Sequence, residues 1–132
     1  MPARKFEAAL REPMLHLKGA VIIDLHGEIN GMVEGPLTAA YEKAETQNPE
    51  LIILNFTDVD YINSTGIALI VGLLARARKA HRTLTVYGLT DHYTEIFNIT
   101  RLADFMRIYQ DEQSLMTDIA LTTNPLVKKN QE

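Results

Sequence analysis

The chain has 132 residues, a net charge of −4, 46% apolar and 23% charged residues, and no cysteine. That length suits one domain with a real core, and the missing cysteines exclude disulfides, thiolate metal sites and a cysteine nucleophile. No Lys/Arg stripe runs along any segment, which argues against a nucleic-acid face.

The opening Met1–Glu7 has no apolar run, so no secretion signal is expected and a cytoplasmic location is. The longest apolar stretch, Ile67 to Ala75, falls far short of the ~20 residues of a membrane span. Either Phe6–Arg11 or Met14–Lys18 reads as an edge strand, followed by a turn at Lys18-Gly19. The β-branched run Ala20–His26 reads as a strand that Gly27–Gly31 breaks. Pro36 suits a first helical turn, and Leu37, Ala40, Tyr41 and Ala44 then fall on one face, with Asn48-Pro49 ending the element.

Leu51–Phe56 is apolar on both faces apart from Asn55, the pattern of an inner parallel strand. A short polar turn, Thr57 to Asn63, is expected next, and a helix from Ser64 or Thr65 to about Ala80. Ile67, Ile70, Val71 and Leu74 make the expected core stripe of that helix. Leu69 and Leu73 then point elsewhere, towards a second packing layer or a partner. Arg76–Arg82 reads as favourable cations at a helix C-terminus. A strand at Thr83–Tyr87, a helix capped by Thr90 or Asp91 and running to Phe97, a turn at Ile99–Phe105, a strand at Met106–Tyr109 and a helix from Asp111 to about Leu121 complete the pattern. The polar run 123–132 is expected to form a disordered tail outside a single domain over 1–122. The order of elements gives an α/β sandwich on a mixed, mostly parallel sheet of four to five strands with about four helices.

Chemistry is sparse. His16, His26, His81 and His92 are scattered, and no Gly-x-Ser-x-Gly elbow surrounds Ser64. Asp58 and Asp60 read as turn formers rather than metal ligands, and no metal or other cofactor is expected. The remaining signal is Asn63-Ser64-Thr65-Gly66. Ser64 or Thr65 can cap the helix, stabilising it by about 1 kcal/mol, or can serve as a hydroxyl that is acted upon, since a helix N-terminus accommodates phosphate. Gly66 costs about 1 kcal/mol against alanine inside a helix, which points to close approach by another chain or the preceding strand.

Leu25-His-Gly-Glu-Ile-Asn30 is similar to the strand-ending Gly-Glu-Leu-Asp motif of STAS domains, and Leu51 to Ile70 resembles that family's apolar strand followed by Asp-Ser-Ser/Thr-Gly and an apolar helix. Leu84 to Tyr109, with Ile96-Phe-Asn-Ile-Thr-Arg-Leu102, fits the later elements. Over Val21 to Leu121 the chain resembles the STAS family, specifically the bacterial anti-sigma factor antagonists. The resemblance implies a regulatory binding protein rather than an enzyme. Its partners would be an anti-sigma factor that is also a histidine-kinase-like serine kinase, and a metal-dependent serine/threonine phosphatase that reverses the modification. It places the phospho-acceptor on Ser64 or Thr65, with preference for Ser64, and the partner-facing residues at Glu28, Asn30, Asn63, Gly66, Leu69 and Leu73. Asn63 and Asn30 stand where the family pattern has carboxylates. The alternative reading is a constitutive STAS interaction subunit of a transporter or signalling complex, without phosphorylation.

Overall fold

The computed structural model describes residues 5–11 and 19–123. Its sheet has the order β1-β2-β3-β4-β5, with β1 (Glu7–Leu10) antiparallel to β2 (Ala20–Ile29). Strands β3 (Leu51–Ile62), β4 (Thr83–Tyr87) and β5 (Ile108–Tyr109) continue in parallel. Helices α1 (Glu34–Glu45), α2 (Ser64–Lys79) and α3 (Asp91–Ile99) lie in the connections between strands, and α4 (Glu112–Thr123) follows β5.

Strand alternation sorts the core. Val21, Ile23 and Leu25 of β2 and Ile52, Leu54 and Phe56 of β3 face the buried sides of α1, α2 and α3. Ile22, Ile53 and Tyr87 face the other way and meet Leu115 of α4. Both faces are therefore covered, which is why the central strands read as unbroken apolar runs.

The first of the two edge registers, Phe6–Arg11, forms β1; the Met14–Lys18 alternative lies outside the described residues, as does the expected tail beyond Thr123. Two expected breaks are absent. Strand β2 continues through Gly27-Glu28-Ile29, and the supposed polar turn Thr57–Ile62 is the second half of β3. The two extensions pair with each other, with register shifts between Asp24 and His26 and between Gly27 and Glu28. Each shift places an extra residue in β3, so these are bulges that bend the ribbon without ending it. Val59 and Ile62 stay buried through the bulges, and Gly27, at φ 92°, supplies the backbone freedom. Strand β5 is shorter than expected, Ile108–Tyr109 alone.

The buried stripe of α2 is Gly66, Ile70, Leu73, Leu74 and Ala77. It is rotated from the expected one: Val71 is 43% exposed, whereas Leu73 is 6% exposed and belongs to the core. Ile67, Ile70 and Leu74 meet the core as expected; Gly66, drawn against the end of β2, and Leu73 join them, and Val71 turns outward.

On the α4 side, a polar group ties Arg11, just after β1, and the start of α4 to the sheet. Arg11 donates to both oxygens of Asp24 (3.1 and 2.6 Å) and to Glu112 (2.6 Å). Tyr87 donates its hydroxyl to Glu112 (2.7 Å), and the Asn55 amide donates to Asp24 (2.8 Å). Burial alone would raise the Asp24 pKa, but the Arg11 guanidinium and Asn55 outweigh it and hold the carboxyl below its ordinary value. Glu112 is lowered too, by Tyr87 first and Arg11 second.

Candidate functional site

The end of β3 and the start of α2 meet in a joint centred on Asn63. Its backbone is extended (φ −89°, ψ 179°), its amide donates to the Ile29 carbonyl at 3.1 Å, and its carbonyl accepts from Ile67 N at 2.9 Å. Its side-chain Oδ1 accepts from Gly66 N at 2.8 Å. Asn63 is thus the helix cap. Neither Ser64 nor Thr65 caps the helix; they are its first two residues, and both are exposed. Asparagine at this position keeps the capping oxygen of an aspartate and drops only the charge.

Gly66 carries the close approach. A β-carbon there would lie 2.3 Å from the Ile29 carbonyl oxygen and 3.0 Å from Ile62 Cγ2. The approaching group is the end of β2, so the helix start is seated on the strand that carries the Gly-Glu-Ile-Asn motif. This contact brings the two predicted segments together. At the end of β2, Asn30 Oδ1 accepts from Met32 N (2.8 Å) and caps the 3-10 turn Gly31–Val33. Its Nδ2 donates to Glu28 Oε1 at 3.2 Å. An aspartate at 30 would set a second carboxylate against Glu28; the amide instead joins the two. Thr65 leans on this loop, since a β-carbon at Gly31 would come within 2.9 Å of Thr65 Cγ2.

Glu28, Asn30, Asn63, Ser64, Thr65 and Gly66 therefore share one corner. Leu69 does not join them on the open surface: it is half-buried and packs against the main core, and Leu73 lies within that core. Met32 stands 90% exposed beside this corner. A lone methionine after glycine carries no periodic signal, so only the loop geometry finds it.

The first turn of α2 contains no acidic residue. The positive end of the helix dipole is thus unneutralised from within the helix, and it favours an anion on either hydroxyl. The structure also pairs His26 Nδ1 with Asp58 Oδ2 at 2.6 Å. His26 alternates with Leu25 and shares the side of Ile22 and Asp24, away from α2. Asp58 and Asp60 lie in β3 rather than in a turn. Among the described residues, no three His, Asp or Glu side chains converge as a metal site, and no helix is long and apolar enough to cross a membrane.

A mixed five-stranded sheet with α1, α2 and α3 on one face, and a helix-start hydroxyl pair seated on the end of β2, defines an α/β sandwich of the STAS type. The STAS domain model matches residues 13–115, and the chain belongs to that family. An anti-sigma-B factor antagonist of Listeria monocytogenes is 29% identical over 82 residues, covering 62% of this chain and 72% of the relative. An anti-sigma factor antagonist from Mycobacterium paratuberculosis superposes with a TM-score of 0.72 at 14% identity, over 88% of this chain and 95% of that one. The Bacillus cell fate determinant SpoIIAA, solved in its phosphorylated form, superposes with a TM-score of 0.62 at 20% identity, over 84% and 99% of the two chains. At these identities the two superpositions concern the fold.

Proposed function

We propose that this protein is an anti-sigma factor antagonist that binds a serine-kinase anti-sigma factor through the Glu28–Met32 loop and the start of α2. Phosphorylation of Ser64 releases that partner, and a metal-dependent serine/threonine phosphatase restores binding. One observation carries the reading: Asn63 caps α2, so the two hydroxyls beside it are exposed and have no capping duty. Two further facts support it. The Listeria relative bears the name of an anti-sigma-B factor antagonist, and SpoIIAA, which shares the fold, has been solved in a phosphorylated form. Ser64 is preferred to Thr65 because the Thr65 methyl is packed against Gly31.

A phosphate on Ser64 adds roughly −1.5 to −2 charges. The helix-start amides hold it, so the fold stays intact. In an interface with an acidic or nucleotide-bearing partner the same charge repels, and a loss of about 3 kcal/mol is already more than a hundredfold in affinity. Local electrostatics then suffices for the switch.

The test mixes the purified protein with a histidine-kinase-like serine kinase of the same organism and ATP, then reads intact mass and complex formation. One phosphate that disappears in Ser64→Ala, and a complex that Ser64→Glu dissolves, are expected. A stable complex unaffected by Ser64→Glu identifies a constitutive interaction subunit instead.

A further inference from the structure

We infer that Tyr93 is a positioning residue for the acceptor: its hydroxyl pins the last amide of β3 and so fixes the joint from which Ser64 and Thr65 project. The inference rests on the acceptor role proposed above.

Strand β4 ends at Tyr87, which pairs with Asn55. Beyond Asn55, β3 has no strand neighbour on that side among the described residues, so its amides there must find other acceptors or water. Ile62 is buried, and its N–H meets the Tyr93 hydroxyl at 3.0 Å. The next amide, Asn63 N, points the opposite way and donates to Ile29 O of β2. Two consecutive amides are thus held from opposite sides, one by the sheet and one by α3. The sheet-side bond is what a parallel strand end ordinarily makes. The α3-side bond depends on one side-chain oxygen.

Tyr93 is itself well fixed. It is buried, its amide donates to the Thr90 hydroxyl that caps α3 (3.3 Å), and one turn later Phe97 packs edge-on against Phe56 of β3 at 6.3 Å. A phenylalanine would fill the same space and leave the Ile62 N–H buried without an acceptor. Asn63, one residue on, carries the capping oxygen, so play at Ile62 passes directly to the helix start.

The test compares Tyr93→Phe with Phe97→Leu, which loosens the same helix without touching the hydroxyl. Amide hydrogen exchange at Ile62 to Gly66, normalised to Ile53, should be about tenfold faster in Tyr93→Phe than in Phe97→Leu, because only the first orphans a buried amide. With the serine kinase described above, Tyr93→Phe should lower kcat about fivefold at unchanged KM, as misplacement of a reacting group does; Phe97→Leu should leave both near wild type. Equal exchange in the two variants overturns the clamp. Faster exchange with unaltered kcat overturns its role in positioning the acceptor. If the wild-type protein takes no phosphate at all, the functional reading falls, and the exchange comparison still decides the clamp.

Discussion

Alanine at Gly66 and alanine at Gly72 should shift stability in opposite directions, although both glycines lie in α2. At Gly66 the new methyl would stand 2.3 Å from the Ile29 carbonyl oxygen and 3.0 Å from its carbon. Backbone cannot rotate aside as a side chain can, so the helix start must move out. Overpacking of this kind costs about 1–3 kcal/mol. The same carbonyl accepts from Asn63 N at 3.1 Å, so the shift also strains a bond worth about 1 kcal/mol. Against this, removing a helical glycine returns about 1 kcal/mol. The net loss is about 1–3 kcal/mol, or roughly 4–12 °C in Tm for a domain of this size. At Gly72 nothing among the described residues lies within 4 Å of the added carbon, so the helix gain stands alone: about 1 kcal/mol and roughly 4 °C upwards. Thermal unfolding followed by circular dichroism reads both. A Gly66→Ala protein as stable as wild type, or shifts of the same sign, would refute the close approach of β2 to α2.

Asn63→Ala should lose about 1 kcal/mol of cap stabilisation, whereas Asn63→Asp should keep the cap and add about 0.3–1 kcal/mol at the positive helix end; urea titrations that rank Asp with Ala would count against Asn63 as the cap. Leu73→Ala should cost about 2–5 kcal/mol as a core cavity, while Val71→Ala should stay within about 0.5 kcal/mol; a reversed order of urea midpoints would restore the stripe expected from sequence. Asp24 and Glu112 have depressed pKa values in the fold, so their stabilisation is present above the unfolded carboxylate values near ~4 and is lost as pH falls through the lower folded ones. Stability should therefore drop below about pH 5, and less steeply in Arg11→Met; equal slopes would show that Arg11 does not hold these carboxylates down.

The apolar strands and the helix start were legible because each follows from a local rule. Leu51–Phe56 is apolar on both faces, as an inner parallel strand must be, and Asn63-Ser64-Thr65-Gly66 marks the start of α2. The polar second half of β3 was hidden because Thr57, Asp58 and Asp60 are turn-favouring residues; only pairing with the extension of β2 keeps them in strand. In the stripe of α2, Val71 and Leu73 were exchanged because hydrophobicity gives Gly66 no weight, while its close approach to Ile29 turns the buried face towards Leu73. The cap of α2 was expected at Ser64 or Thr65 and is Asn63, because an asparagine is as good a cap as either hydroxyl and stands one residue earlier. Met32 and Tyr93 owe their places to the loop after β2 and to the end of β4, and neither leaves a pattern in the chain.

The most direct measurement is the intact mass of the protein after incubation with its serine kinase and ATP, with complex formation read in parallel without ATP. We expect a single added phosphate on the wild type, none on Ser64→Ala, and a complex that forms without ATP and disperses on phosphorylation. No phosphate on the wild type together with no complex in the absence of ATP would contradict the account.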